Sequence, residues 1–273
     1  MKKLIPVLFV VMILATGCPQ PEPQVHQVEI GLFTPYVVFP ETVNGKVKEV
    51  VEKSYLGMEE DGKVIKGERL TVDARDSIQW TNDFRLTYDE NGILLFTELL
   101  DENDGIIELQ KQTVVDGTIV KSESSRDDTL RNYSKMSYND AGHLSKIEVF
   151  RLPVDTLRFS VLLSHDEQGN VLEWQFRNYL GDPTTKYIFT VDQVGQRTGY
   201  TFYNKEGKQV YEEKFTYNEM GFLAKQVMIN EEGEETSSEY EYEYDEMNNW
   251  VTVIGYSDKF PIVSERKITY FQE

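Results

Sequence analysis

Hydrophobic and polar residues alternate along most of the chain. Within residues 239–244, tyrosines occupy the even positions and glutamates the odd ones. A period of two is typical of a β-strand with one packed face and one face in water. Runs of this kind recur, separated by short stretches rich in Gly, Asp and Asn, which predict turns. We therefore expect an all-β protein whose strands have an aromatic face and a charged face.

The turns repeat at a fixed interval. A motif with Tyr, then Asp or Asn, then Gly first occurs at Tyr88, Asp89 and Gly92, and its last position recurs as Gly117, Gly142, Gly169, Gly195, Gly221 and Asn248. The steps are 25, 25, 27, 26, 26 and 27 residues, which indicates a repeat protein. In such a turn the Asp or Asn side chain can bond to backbone amides ahead, and Gly accepts a positive φ.

A second turn signal lies about halfway through most intervals. It occurs at residues 104–105, 127–128, 153, 181–183, 206–207, 232–233 and 261. Each unit of about 26 residues then holds two strands of roughly nine residues, which predicts an antiparallel β-hairpin repeat meander. About seventeen strands cannot stay flat, so we expect a long curled or coiled sheet with the two turn families on opposite edges.

The amino terminus is typical of an exported lipoprotein. Lys2 and Lys3 precede an apolar run from residue 4 to residue 14, which is too short to span a bilayer as a helix. Residues 15–18 resemble a lipobox, the motif at which lipoproteins are lipidated and cleaved. We therefore predict that residues 1–17 are a signal peptide and that Cys18 carries fatty acyl chains such as palmitate. Cys18 is the only cysteine, and lipidation explains an unpaired thiol in an exported chain. The alternative is an ordinary signal peptide followed by a chance cysteine.

The mature chain divides into three predicted segments. Three prolines within residues 18–26 favour an extended conformation, which predicts a tether. Residues 27–82 are less regular and predict an N-terminal β segment of short hairpins that caps the array. Residues 83–273 form the repeat array.

The chain is strongly acidic. Its formal net charge is −19, and removal of residues 1–17 takes away two lysines and no acid, which gives −21. A surface of this charge repels nucleic acid, so we expect no nucleic-acid partner and membrane contact only through the lipid. Solubility is the simplest explanation of the charge.

The residues contain no recognisable catalytic or metal-binding motif. His26, His143 and His165 lie in the tether and in two separate turns, so the sequence predicts no shared metal site and no nucleophile–base pair. Acidic turns at residues 89–92 and 101–105 could bind calcium, but they lack the regular ligand spacing of a calcium-binding loop. Turn formation is the better explanation of these residues. We expect no cofactor, no metal and no catalytic residue.

Two patterns suggest surface chemistry. Aromatic residues repeat along neighbouring strands, and Trp174, Tyr240, Tyr242 and Tyr244 could stack on sugar rings if they are exposed; the favoured alternative is that they form the core of the sheet. Three short motifs resemble the O-glycosylation acceptor of exported Bacteroidota proteins. They predict glycans at Ser77, Thr129 and Thr156.

The turn motifs carry a family resemblance. From Gly92 onward they resemble the tyrosine-aspartate (YD) repeats of Rhs-type and wall-associated proteins, in the form found in short Bacteroidota envelope lipoproteins. Residues 245–250 and 266–270 resemble the last repeat of those proteins, and residues 44–50 resemble their first strand. The resemblance implies a hairpin-repeat fold from about residue 45 to the end. Nothing in the chain resembles the toxin tail of the large Rhs proteins, so encapsulation is not implied.

Two classes of function follow. The first is a non-enzymatic lipoprotein of the cell envelope that binds a polysaccharide or an envelope protein, or serves as a scaffold. We expect it on the outer membrane, with the periplasmic or surface side left open. The alternative is an envelope enzyme of the hydrolase class with its site within residues 27–82.

Overall fold

A computed structural model describes residues 25–29, 40–77, 83–256 and 260–272. This part of the chain is almost entirely β-structure, with one short helix, α1 (Val72–Ser77). The strands are β1 (Val25–Glu29), β2 (Pro40–Asn44), β3 (Val47–Glu60), β4 (Lys63–Arg69), β5 (Phe84–Tyr88), β6 (Leu94–Leu100), β7 (Ile106–Val115), β8 (Thr118–Arg126), β9 (Thr129–Tyr138), β10 (Leu144–Arg151), β11 (Thr156–His165), β12 (Val171–Asn178), β13 (Pro183–Val191), β14 (Arg197–Tyr203), β15 (Gln209–Tyr217), β16 (Leu223–Asn230), β17 (Glu235–Tyr244), β18 (Trp250–Tyr256) and β19 (Pro261–Tyr270). The prediction of an all-β antiparallel hairpin meander is confirmed.

The turns have the predicted chemistry. Asp89 Oδ1 accepts the backbone N–H groups of Asn91 at 2.9 Å and Ile93 at 2.8 Å, and Gly92 has a φ of +80°. The same five-residue loop occurs in both turn families, where it begins at Asp101, Asn139, Asp166, Asn178, Asp192, Asn204, Asn218, Asn230 and Asp245. A local side-chain hydrogen bond therefore sets most of the hairpins.

The sheet is closed, which corrects the expectation of an open curled sheet. β19 pairs with β3 from Ile262 opposite Leu56 to Tyr270 opposite Val47. On its other side, β3 pairs with β5 along its first half and with β4 along its second half. Sixteen of the described strands, β3 and β5 to β19, thus form an antiparallel barrel, with β4 alongside β3. Closure pairs the N–H and C=O groups that two open edges would leave without partners.

Part of the segment predicted to be irregular belongs to this sheet. β3, with 14 residues, lies within residues 27–82, and so does the helix α1, which the sequence did not predict. The hydroxyl of Thr71 accepts the N–H of Ala74 at 3.2 Å and so caps the helix. β1 and β2 form a separate two-stranded sheet.

The described residues form two compact units. The first unit comprises the described residues within 1–128, 242–254 and 262–273, and the second those within 129–241 and 255–261. In the first unit, Val47, Val50 and Leu86 are buried in a core against which Ile268 and Tyr270 pack. In the second unit, the buried residues are aliphatic on β9 to β11 and mainly aromatic on β12 to β15.

Candidate functional site

A row of aromatic side chains lies on the buried face of β12 to β15 in the second unit. Its buried members on β12 to β15 are Trp174, Tyr187, Phe189, Tyr200 and Phe215. The edge of Trp174 meets Phe189 with ring centroids 4.9 Å apart, and the guanidinium of Arg197 lies 4.1 Å from the Phe189 centroid. The strand register places Trp174 opposite Tyr187 and Phe189 opposite Tyr200, so the rings of neighbouring strands meet.

A carboxyl group lies within this aromatic surface. Glu213, only 2 % exposed, stands opposite Tyr200 in the register of β14 and β15. Its Oε2 accepts a hydrogen bond from Nε2 of Gln226 at 2.7 Å. The Gln226 carbonyl oxygen in turn accepts the hydroxyl of Tyr240 at 3.2 Å. Glu213, Gln226 and Tyr240 thus form a polar line across β15, β16 and β17.

Burial changes the acidity of this carboxyl. Loss of hydration raises the pKa of Glu213 to about 7, against the opposing effects of the neighbouring Tyr200 hydroxyl and of the hydrogen bond from Gln226. Burial and the nearby Glu213 charge also raise the pKa of Tyr200. The carboxyl can therefore exchange a proton near neutral pH. Because side chains enclose Glu213, gain or loss of this proton changes the folding stability of the second unit.

The aromatic residues proposed for sugar stacking lie on the packed side of their strands. Trp174 is 7 % exposed. Tyr240, Tyr242 and Tyr244 are half-buried, while the glutamates that alternate with them are exposed. In the first unit, the Tyr242 ring lies 6.1 Å from those of Tyr244 and Trp250. These side chains contact other side chains on the same side of the sheet, and a role in sugar stacking stays a prediction.

An ionic cluster in the first unit was not indicated by any sequence motif. Asp83, directly before β5, is fully buried. Its carboxylate lies 2.7 Å from Arg69 and 3.2 Å from Arg75, and it accepts the N–H of Ser54 at 2.8 Å. Arg69 also reaches Asp104 at 2.7 Å. The buried charges of this region neutralise one another, so the cluster joins β3, β4, α1 and β5.

Large apolar side chains are exposed on one edge of the second unit. This half-way edge comprises the loops that join β10 to β11 and β12 to β13. Val154, Tyr179 and Leu180 lie in these loops and are 65 to 72 % exposed. Thr129 and Thr156, two of the predicted glycan acceptors, lie on the same side of the strands and are exposed. Ser77 is the last residue of α1.

The other predicted sites divide into two groups. Cys18 and all of the tether before Val25 lie outside the described residues. The acidic turns are described, and Asp101 Oδ1 accepts the N–H groups of Asn103 and Gly105 at 2.8 and 2.7 Å, as a turn residue does. Where side chains are described, no three His, Cys, Asp or Glu residues are arranged to hold a metal ion.

Two histidines that the sequence placed in separate turns come together in the structure. The rings of His143 and His165 have centroids 5.2 Å apart, with planes inclined at 36°. The turns are consecutive on one edge of the sheet, and each histidine stands at an end of one of two paired strands. The positions of these residues along the chain did not indicate that their rings would meet, because the pairing of β10 with β11 brings them together.

The strand faces of the second unit that lie opposite the buried aromatic residues carry charged side chains within the strands. Lys225 on β16 lies 2.8 Å from Glu239 on β17, and Lys186 on β13 lies 3.9 Å from Glu173 on β12. The five buried aromatic residues lie on the opposite face, whereas Tyr203, opposite Lys186 in the register of β13 and β14, lies on the charged side with its ring centroid 5.3 Å from Lys186 Nζ. Among the residues that the structure describes, no helix has the length and apolar character needed to cross a membrane.

Comparison with known proteins identifies a similar fold and no family. No protein-family model and no curated protein matches the chain, so the resemblance to YD-repeat proteins rests on the turn motifs alone. A porin-like protein from Bacteroides uniformis has a TM-score of 0.53 at 8 % identity, with 82 % of this chain and 96 % of that chain covered. A porin-like protein from Bacteroides vulgatus has a TM-score of 0.33 at 9 % identity, with 84 % and 100 % covered. The chain therefore shares its barrel fold with the first of these proteins.

Proposed function

We propose that the chain is a non-enzymatic lipoprotein of the bacterial cell envelope. A lipid on Cys18 anchors it, the proline-rich tether follows, and the folded part lies outside the bilayer as a binding or scaffold surface. The lipobox-like residues 15–18 and the YD-type turns support this function. The likeness to a porin-like protein supports an envelope location, most simply the outer membrane.

The charged strand faces are the observation that carries the proposal. A barrel embedded in lipid has an apolar outward band, and a lysine at the bilayer midplane costs about 2–4 kcal/mol. In the second unit, Lys186, Lys214 and Lys225 lie within strands on the side opposite the buried aromatic residues; Lys214 is exposed and the other two are partly exposed. Five large aromatic residues of β12 to β15 are buried instead of contributing to an outward apolar band. Embedding these strands would therefore be costly, and a lipid anchor provides membrane attachment without that cost.

Replacing Cys18 with alanine distinguishes attachment through a lipid anchor from insertion of the strands into the membrane. We expect the wild-type chain to sediment with membranes and C18A to appear in the soluble periplasmic fraction, because the lipid is its only attachment. The measurement is an immunoblot of fractions from cells that express each chain at matched levels. The intact mass of the wild-type protein reports the lipid and any glycan on Thr129 or Thr156. C18A that remains in carbonate-washed membranes would show that the strands themselves are embedded.

The exposed apolar residues of the half-way edge are the proposed contact for a partner. Neighbouring loops on one edge are separated by two strand spacings, about 10 Å, so they form a row on the scale of an oligosaccharide or a peptide segment. Exposed apolar side chains grouped in this way commonly mark interaction sites. The proposed partner is a polysaccharide or an envelope protein.

Co-purification with the tagged native lipoprotein tests this contact. We expect a glycan or protein partner with the wild-type chain, and at least a tenfold lower yield with Y179S/L180S. V194S/M220S is the matched control, because Val194 and Met220 are exposed turn residues of the same unit on the opposite edge. Equal recovery with both double variants would exclude the half-way edge as the contact.

A further inference from the structure

His143 and His165 are brought together by the pairing of β10 with β11. In this pairing Lys146 lies opposite Leu162 and Ile147 opposite Val161. Just beyond this end of the pairing, the rings of His143 and His165 approach to a centroid distance of 5.2 Å. Both residues are half-buried and adjoin hairpin turns, so the two imidazoles reach the solvent side by side.

The backbone and the neighbouring turn hold His143 in position. Its N–H donates to Asn139 Oδ1 at 2.9 Å, and its carbonyl oxygen accepts the N–H of Asn139 at 2.8 Å. The ring lies against Gly169 in the next turn, where a Cβ would be 2.6 Å from Nε2 of His143. Gly169 therefore does more than adopt a positive φ, because its missing side chain leaves room for the imidazole.

The ring separation fits two ligands of one metal ion. Zinc binds imidazole nitrogen at about 2.0–2.1 Å in tetrahedral geometry, which places two coordinated rings with centroids about 5 Å apart. The observed separation is 5.2 Å. Imidazole nitrogens suit zinc, copper and nickel, and metal binding requires them to be neutral.

The neighbouring carboxylate is not a ready third ligand. Asp166 Oδ1 accepts the N–H groups of Gln168 and Asn170, and Oδ2 accepts the side-chain amide of Asn170 at 2.8 Å. A metal ion between the histidines would therefore keep open positions for water or for donors from a second molecule. This distinguishes it from a closed structural zinc site.

We propose that His143 and His165 form an open, two-histidine binding site for a divalent transition-metal ion of the zinc and copper class. The site is independent of the lipid anchor and of the half-way edge. It lies on the edge that holds the Tyr-Asp type turns.

Metal titration of the full chain tests this proposal. We expect the purified lipoprotein in detergent to bind one Zn²⁺ by calorimetry, and bound Cu²⁺ to show nitrogen hyperfine coupling from two imidazoles in its electron paramagnetic resonance spectrum. H143Q and H165Q should each lower the affinity at least about tenfold, since even the loss of an outer partner of a metal ligand costs 10–100-fold. H26Q, which replaces the third histidine of the chain, should bind like the wild type.

The outcomes are distinguishable from unfolding. Each variant should retain the far-ultraviolet circular dichroism of the wild type, and Zn²⁺ should raise the Tm of the wild type and of H26Q only. Absence of binding to the wild type, or wild-type affinity in both H143Q and H165Q, would overturn the site. Loss of binding in H26Q alone would place the metal on the tether instead.

Discussion

Replacing Asp83 with alanine is expected to lower the free energy of unfolding by about 3–5 kcal/mol, because it leaves a buried arginine without its counter-charge. Asp83 is fully buried and contacts Arg69 and Arg75, and Arg75 is itself 5 % exposed. The substitution also removes the acceptor of the Ser54 N–H. Urea unfolding followed by tryptophan fluorescence and circular dichroism gives the measurement.

A surface pair in the same cluster provides the control. Asp104 contacts Lys53 and Arg69 at 2.7 Å, but its side chain is 44 % exposed. Exposed ion pairs contribute about 0–1 kcal/mol, so D104A should cost much less than D83A. Equal effects of the two substitutions would show that burial does not determine the strength of this cluster.

Replacing Glu213 with glutamine is expected to stabilise the protein by about 2–3 kcal/mol at pH 8 and to have little effect at pH 4.5. The pKa of Glu213 is raised to about 7 in the folded state from an ordinary value of 4.5. Between these values the folded state keeps a proton that the unfolded state has released. The wild-type contribution to stability therefore falls as the pH rises through this window and is constant above it. The gap corresponds to about 3 kcal/mol.

Glutamine has nearly the same size as glutamate but does not ionise, so E213Q does not lose stability as the pH rises. Its carbonyl oxygen can still accept the hydrogen bond that Gln226 donates to Glu213. The measurement is the urea midpoint between pH 4.5 and 8 for the wild type, E213Q and E241Q. Glu241 lies on the exposed face of β17, so E241Q should follow the wild type. An E213Q profile parallel to that of the wild type would contradict a buried, proton-sensitive carboxyl.

Much of the fold was predictable because its signals are local. In the turn at Asp89, the side chain bonds to N–H groups two and four residues ahead. The alternation of tyrosine and glutamate on β17 assigned each residue to its face for the same reason, since successive side chains of a strand point in opposite directions. These patterns carry no information about which distant residues meet. The carboxyl of Glu213 could not be distinguished from the exposed glutamates by sequence, because its burial depends on neighbouring strands.

The sequence by itself determined the strands, their turns, the repeat of about 26 residues and the two strand faces, because each depends on bonds within a few residues. Only the tertiary structure decided that β19 closes on β3, where the hydroxyls of Ser54 and Ser264 meet 210 residues apart in the chain. It also decided that Asp83 lies between two arginines and that His143 faces His165. These arrangements depend on strand register and closure, which are set by the pairing and packing of whole strands and cannot be read from one segment.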